Sequence, residues 1–274
     1  MRSRCSTTRC PLPTSSALRS FAEDPPAWGE IDPRSGLDRV LTDRYCLLFG
    51  PSPSSTLVSR LRLDPDAVPE AIHEVREEIA RRDHRDAVWR VGTSATPADL
   101  VDRLTAHGFV PSDRPGHEPH LTSMVLTQEP PQVDGVEARR IESAAELQLA
   151  STISAAAFGE NEDDENWDMQ FVSERAGHTP RMYLAFVDGT AAGAARALVE
   201  ADCPAVMLIS GGVLAEARGR GAYRALVRAR WEDAVAAGQP ALVVHAGAMS
   251  RPILERLGFH AVAEQEVLLD PATC

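Results

Sequence analysis

Lysine is missing from this sequence altogether: all 28 basic side chains are arginine, set against 40 acids. Alanine and valine are abundant, so the absence points to GC-rich codons, and from there to a bacterial source, more than to any demand of the fold. The net charge of −12 opposes adhesion to nucleic acid or to an anionic membrane, because the long-range field repels both. A phosphate-bearing ligand must then be gripped by a local device. Long apolar runs are also lacking, and no stretch approaches the ~18 residues of a membrane span. The chain reads as soluble and cytoplasmic. Cysteines are few, odd in number and scattered (Cys5, Cys10, Cys46, Cys203, Cys274), which excludes a disulfide scaffold and the paired spacing of a zinc site. Reduced thiols and no metal are expected. Residues Met1–Ser20 lack the apolar core of a secretory signal, and residues 1–30 are expected to be a disordered tail.

At 274 residues the chain is long for one compact domain. The polar, proline-bearing stretch Thr127–Gly135 reads as a linker between residues 31–126 and 136–274. After it, the pattern predicts a strand at Val136–Ile141 and a helix at Ala144–Phe158. An acidic loop, Gly159–Trp167, leads into a second helical piece ending near Gly177. Strands at Arg181–Val187 and Ala191–Glu200 flank Asp188-Gly189, the cue for a tight hairpin. Further strands at Ala205–Leu214, Ala241–Ala246 and His260–Leu269 alternate with helices at Gly221–Ala237 and Arg251–Leu257. The first half echoes this order: a strand at Ser55–Arg62, a helix at Val68–Arg82, a strand at Ala87–Val91, a helix at Pro97–His107, then Gly108-Phe109 and a strand at His120–Leu126. Gly258-Phe259 falls at the matching place in the second half, so an internal duplication is expected.

The chemistry concentrates where the strand Ala205–Leu214 gives way to a helix through Arg218-Gly219-Arg220-Gly221-Ala222-Tyr223. A helix start carries unpaired N–H groups and partial positive charge, which seats a phosphate. Gly219 and Gly221, lacking Cβ, let backbone amides come close to phosphate oxygens, and Arg218 and Arg220 add charge.

With Arg218, Gly221 and Tyr223 at the places of a Gln/Arg-x-x-Gly-x-Gly/Ala motif, and Leu257-Gly258-Phe259 ending a short helix, the second half resembles the GCN5-related N-acetyltransferases. Tyr223 departs from the Gly/Ala of that pattern. The resemblance implies an α/β fold of the α+β type, with a mixed, mostly antiparallel central sheet flanked by helices. It also implies acetyl-CoA as acyl donor, a small amine as acceptor, and a strand splayed around Val213 and Leu214 to receive pantetheine and the thioester. The coenzyme A set is then Val213, Leu214, Arg218, Gly219, Arg220, Gly221, Ala222 and Tyr223. The first half has Leu63-Asp64-Pro65-Asp66-Ala67-Val68-Pro69-Glu70 where its phosphate loop would fall, with carboxylates and prolines in place of glycine. It reads as a degenerate sister domain.

Acyl transfer needs a neutral amine, a stabilised oxyanion and a proton for the leaving thiolate. The family's tyrosine acid is replaced by Leu254, its asparagine by Gly247, and the strand Met207–Gly212 carries no carboxylate. Tyr223, His245, Ser250 and the acids of the 160s loop, beside Trp167, are the remaining candidates. Each has a plainer reading: His245 as a hydrogen-bonded strand residue, Ser250 as a helix cap, the acidic run as a solvated loop, and Cys203 as a small core or loop residue. An acyl-CoA-binding module without turnover is the rival to an enzyme. A nucleic-acid binder using the arginine loop fits poorly, and the acceptor and the choice between monomer and homodimer stay open.

Overall fold

The computed structural model describes residues 15–31, 36–85, 87–113, 118–158, 181–200 and 202–273. Its frame is one mixed sheet of twelve strands. The first half contributes β1 (Asp38–Leu41), β2 (Cys46–Phe49), β3 (Thr56–Ser59), β4 (Ala87–Gly92), β5 (Val110–Pro111) and β6 (His120–Leu126). The second contributes β7 (Val136–Arg140), β8 (Arg181–Val187), β9 (Thr190–Leu198), β10 (Val206–Val213), β11 (Leu242–Ala246) and β12 (His260–Leu269). The order across the sheet is β1-β2-β3-β4-β12-β6-β11-β10-β9-β8-β7, with β5 beside β12.

This order couples the halves. Strand β6 pairs with β11 (Leu126 opposite Leu242, Thr122 opposite Ala246), while β12 pairs with β4 (Leu269 opposite Val88, Gln265 opposite Gly92). Each half's closing strand therefore lies against the other half's preceding strand, and β6 and β12 pair with each other at the centre. The hydrogen-bond ladder crosses between halves without a break, although only the stretch Thr127–Gly135 joins β6 to β7 in sequence.

The helices α1 (Ser16–Glu23), α2 (Val68–Arg81), α3 (Leu100–Ala106), α4 (Ala144–Phe158), α5 (Ala222–Ala236) and α6 (Arg251–Arg256) cover the sheet. Strand alternation fixes which residues meet which helix. Val206, Leu208, Leu242 and Val244 face α5 and bury Leu226 and Val227. In the first half Val58, Ala87 and Trp89 bury Val75 and Ile79 of α2 in the same manner. Each fully buried side chain of this kind contributes roughly 1.5–3 kcal/mol. The duplication is visible in the topology. A strand, a one-turn 3-10 helix, a long helix, a parallel strand, a short helix and a Gly-Phe pair recur in order, with both glycines at positive φ (91° at Gly108, 97° at Gly258).

The expectation of a disordered tail over residues 1–30 needs correction for residues 15–30. Ser15 caps α1 by accepting from the Leu18 N–H, and Leu18, Phe21 and Ala22 pack on Val125, Ala205, Ala241 and Val243. These strand residues would otherwise leave an apolar face bare, and two amphipathic turns of helix suffice to cover it. Strands β1 and β2 were also not anticipated. The acidic loop Gly159–Trp167, Asp168 and the helical piece ending near Gly177 lie outside the described residues. Among the described residues, no helix is long and apolar enough to cross a membrane.

Candidate active site

The parallel pairing of β10 with β11 ends at Leu208 opposite Val244. Beyond it, β10 stays with β9 as far as Val213 opposite Gly193, and β11 stays with β6 as far as Ala246 opposite Thr122. The two strands thus part company, leaving Ile209–Val213 facing His245 and Ala246 across an opening. A bulge marks the parting: Ser210 has φ 40° and no register partner on β9. Two glycines thin the strand here. A Cβ on Gly211 would lie 3.1 Å from the Tyr223 ring, and one on Gly212 would lie 2.6 Å from Ala157 of α4.

At the far end of β10 the chain passes through a 3-10 turn, Ala215–Ala217, into α5. Gly219 (φ 75°) and Gly221 (φ 96°) both take the left-handed conformation that disfavours side chains, and Gly221 is the N-cap, with no side chain capping the helix. The first helical bond runs from Ala225 N–H to the Gly221 carbonyl, so the amides of Ala222, Tyr223 and Arg224 precede the ladder. Open space surrounds the Cβ direction of Gly219, whereas a Cβ on Gly221 would lie 2.8 Å from Val133 Cγ1. Arg218 is exposed and donates from Nε to the Val213 carbonyl at 3.3 Å. Arg220 pairs with Asp188 at the β8–β9 hairpin. Leu214 spends its N–H on the Ala192 carbonyl at 2.9 Å, so that amide is not free for an oxyanion, and the side chain of Ala222 is buried in the core.

Tyr223 and His245 border the opening from opposite faces of the sheet rather than together. Tyr223 lies against Gly211, its phenol pushed above the ordinary range by burial, with the Arg230 cation opposing. His245 points to the sheet face opposite α5. Its Nε2 lies 2.8 Å from the Ala22 carbonyl, which can only accept, so Nε2 carries the proton and Nδ1 accepts from Arg90 Nη1 at 3.1 Å. Burial and the Arg90 charge push its pKa down to about 3. With both nitrogens engaged, His245 holds Arg90 rather than a substrate proton. Ser250 donates to the Gly247 carbonyl at 3.3 Å and makes no side-chain cap to α6. Leu254 is wholly buried in the α5 core. Cys203 is buried, its thiol pushed up to about 11 by burial and by Glu200.

Two groups escaped sequence reasoning. Glu118, just before β6 of the first half, accepts from the Ala248 N–H at 2.8 Å and fills the space of a side chain at Gly247, where a Cβ would lie 1.9 Å from its Oε1. Only the exchanged strand brings it there, so no local signal could reveal it. Arg90, a lone cation within the apolar run Ala87–Val91, was legible as an anomaly. It lines a cavity of about 170 Å³ on the α1 side of the opening, together with Phe21, Trp28, Leu48, Met207, Ile209 and His245.

In the first half the matching opening is filled by the chain itself. Parallel pairing of β3 with β4 ends at Val58 opposite Trp89, and Arg60 repeats the positive φ (52°) of Ser210. There Asp24 accepts from the Arg60 N–H at 2.9 Å, and Glu23 accepts from the Ser94 N–H at 2.7 Å. A Cβ on Gly92 would lie 2.1 Å from Glu23 Oε1, as one on Gly247 meets Glu118.

No family model and no curated protein matches the sequence. Solved structures do match the fold. A GCN5-related N-acetyltransferase from Kribbella flavida is 20% identical with TM-score 0.64, over 86% of this chain and 90% of its own. A GCN5-related N-acetyltransferase from Sphaerobacter thermophilus is 18% identical with TM-score 0.59, over 92% and 84%. A tandem GNAT protein from the clavulanic acid biosynthesis pathway, solved without AcCoA, is 17% identical with TM-score 0.57, over 82% and 78%. The sheet order, the divergence of β10 from β11 and these likenesses agree: the chain has the GCN5-related N-acetyltransferase fold, with a degenerate first half of similar architecture.

Proposed function

We propose that the second half binds an acyl-coenzyme A, most simply acetyl-CoA, and passes the acyl group directly to a small amine. The observation that carries this reading is the coincidence of two features on one strand. Strand β10 parts from β11 after Leu208, and the same strand then runs into a glycine-opened, uncapped helix start. The first suits pantetheine and a thioester, the second a pyrophosphate. Val213 and Leu214 would flank the pantetheine, and Arg218, Gly219, Arg220, Gly221, Ala222 and Tyr223 would form the cradle. The amine nitrogen would attack the thioester carbonyl carbon, the C–S bond would break, and the thiolate would take up a proton. Glu118, bonded to the Ala248 N–H just past the end of β11, would accept the amine's proton. With Leu254 in the core and His245 engaged, water is left to protonate the thiolate.

A second reading, an acyl-CoA-binding module without turnover, is favoured by that same want of an acid. Calorimetry with acetyl-CoA, followed by thiol release across a panel of amines, separates the two. Binding with amine-dependent thiol release supports the enzyme, and binding without release supports the module. No binding would refute both.

A further inference from the structure

Burying a cation among apolar side chains is costly unless something pairs with it. Arg90 is in that position. Among the described residues its only hydrogen bond is to the ring of His245, and its Nε is buried without a partner. Asp24, whose charge reaches it, is already held by the Arg60 N–H and by Arg62. Burial draws Arg90 down to about 10, which leaves it charged at neutral pH. The cavity around it is otherwise walled by Phe21, Trp28, Leu48, Leu198 and Met207. Its carboxyl, Glu200, lies by Cys203, with Oε2 4.0 Å from Sγ.

The cavity also has a defined relation to the acyl opening. Ile209 and His245 are the first positions beyond the last parallel pair of β10 and β11, and both line it. A ligand anchored on Arg90 therefore has its neighbouring atoms where an acyl group would lie. A planar carboxylate matches the terminal nitrogens of a guanidinium through two parallel N–H bonds, which a single-point anion does not exploit. A carboxylate placed one carbon from a nucleophilic amine, with an apolar substituent for the remaining walls, describes one class of molecule.

We propose that this cavity seats the acceptor, and that the acceptor is an apolar α-amino acid whose carboxylate is held by Arg90. The inference rests on the acyltransferase reading above. His245 is then a positioning residue, fixing the guanidinium through Nδ1.

The test is calorimetry on the full chain, with and without saturating coenzyme A, using leucine, phenylalanine, leucinamide and 3-methylbutylamine. Leucine or phenylalanine should bind, and leucinamide and the plain amine should bind at least tenfold more weakly. Arg90→Met should lose at least tenfold in leucine affinity, with Arg90→Lys between it and the wild type. Met207→Trp, which fills the cavity and leaves Arg90 in place, should block leucine while coenzyme A binds as before. It keeps the test decisive if Arg90→Met does not fold. Equal binding of leucine and leucinamide, undiminished leucine binding in Arg90→Met or Met207→Trp, or coenzyme A binding with no amino acid bound would overturn the proposal. Amino acid binding without any coenzyme A binding would leave the cavity assigned and sink the acyltransferase reading instead.

Discussion

Replacing His245 by Gln gives a quantitative check on the state of the ring. Glutamine can donate to the Ala22 carbonyl and accept from Arg90, so both hydrogen bonds survive while the titration disappears. In the unfolded chain histidine titrates near its ordinary value of ~6.5, whereas in the folded chain the ring resists protonation until about pH 3. The unfolded state therefore binds the extra proton between these values. The stability that the neutral ring contributes is complete above ~6.5 and is lost as the pH falls toward the folded value, at roughly 1.4 kcal/mol per pH unit. From pH 8 to pH 4.5 the loss comes to about 2.7 kcal/mol. Asp24 works in the opposite sense, since its pKa is raised to about 6 by burial and by Glu23, but it is present in both proteins and cancels in their difference. Urea unfolding at pH 8, 6.5, 5.5 and 4.5 should show the wild type losing that amount relative to His245→Gln. A difference that stays flat within about 0.5 kcal/mol would refute the buried, neutral imidazole. Turnover in the same variants should show no inflection near ~6.5 that belongs to His245.

Gly219→Ala should weaken acetyl-CoA binding with modest loss of stability, because its Cβ meets open space, whereas Gly221→Val should destabilise the chain as well, having φ 96° and Val133 in its way; calorimetry beside thermal unfolding separates the two. Calorimetry should also give one coenzyme A per chain, since Glu23 and Asp24 occupy the first half's opening, and two equivalent sites would contradict that account. The fragment Val136–Cys274 lacks β6, which lies between β11 and β12, and should be poorly soluble; a monomeric, cooperatively folding fragment would show the exchange to be dispensable. Leu254→Tyr should cost about 1–3 kcal/mol in chemical denaturation, since the residue it replaces has no exposed surface and no room for a ring.

Local elements were legible in the sequence because their causes are local. The helix Ala144–Phe158 and the strands Arg181–Val187, His120–Leu126 and His260–Leu269 coincide with their sequence patterns, since periodicity and flanking turn residues decide them. The glycine-opened start of α5 was readable for the same reason. Strands β1 and β2, four residues each, are too short to show a period. The α1 helix sits in a stretch whose composition suggests disorder, and the apolar sheet face that it covers, with the bonds from His245 and Ser94, keeps it in place.

Tertiary structure alone decided the rest. Nothing in the sequence near His120 or His260 specifies that these strands change places, because strand pairing between distant segments depends on which apolar faces and unpaired edges the whole sheet presents. That exchange brings Glu118 to Gly247 and Arg90 to His245, the contacts that redefine the candidate site. His245 looked like a base as a residue type; its partners made it a fixed, neutral ring. The sequence by itself determined most of the elements, their duplicated order and the glycine-opened helix start, which is written in consecutive residues. The cavity, its cation and the filling of the first half's opening arise between segments far apart in the chain, and only the folded sheet brings them together.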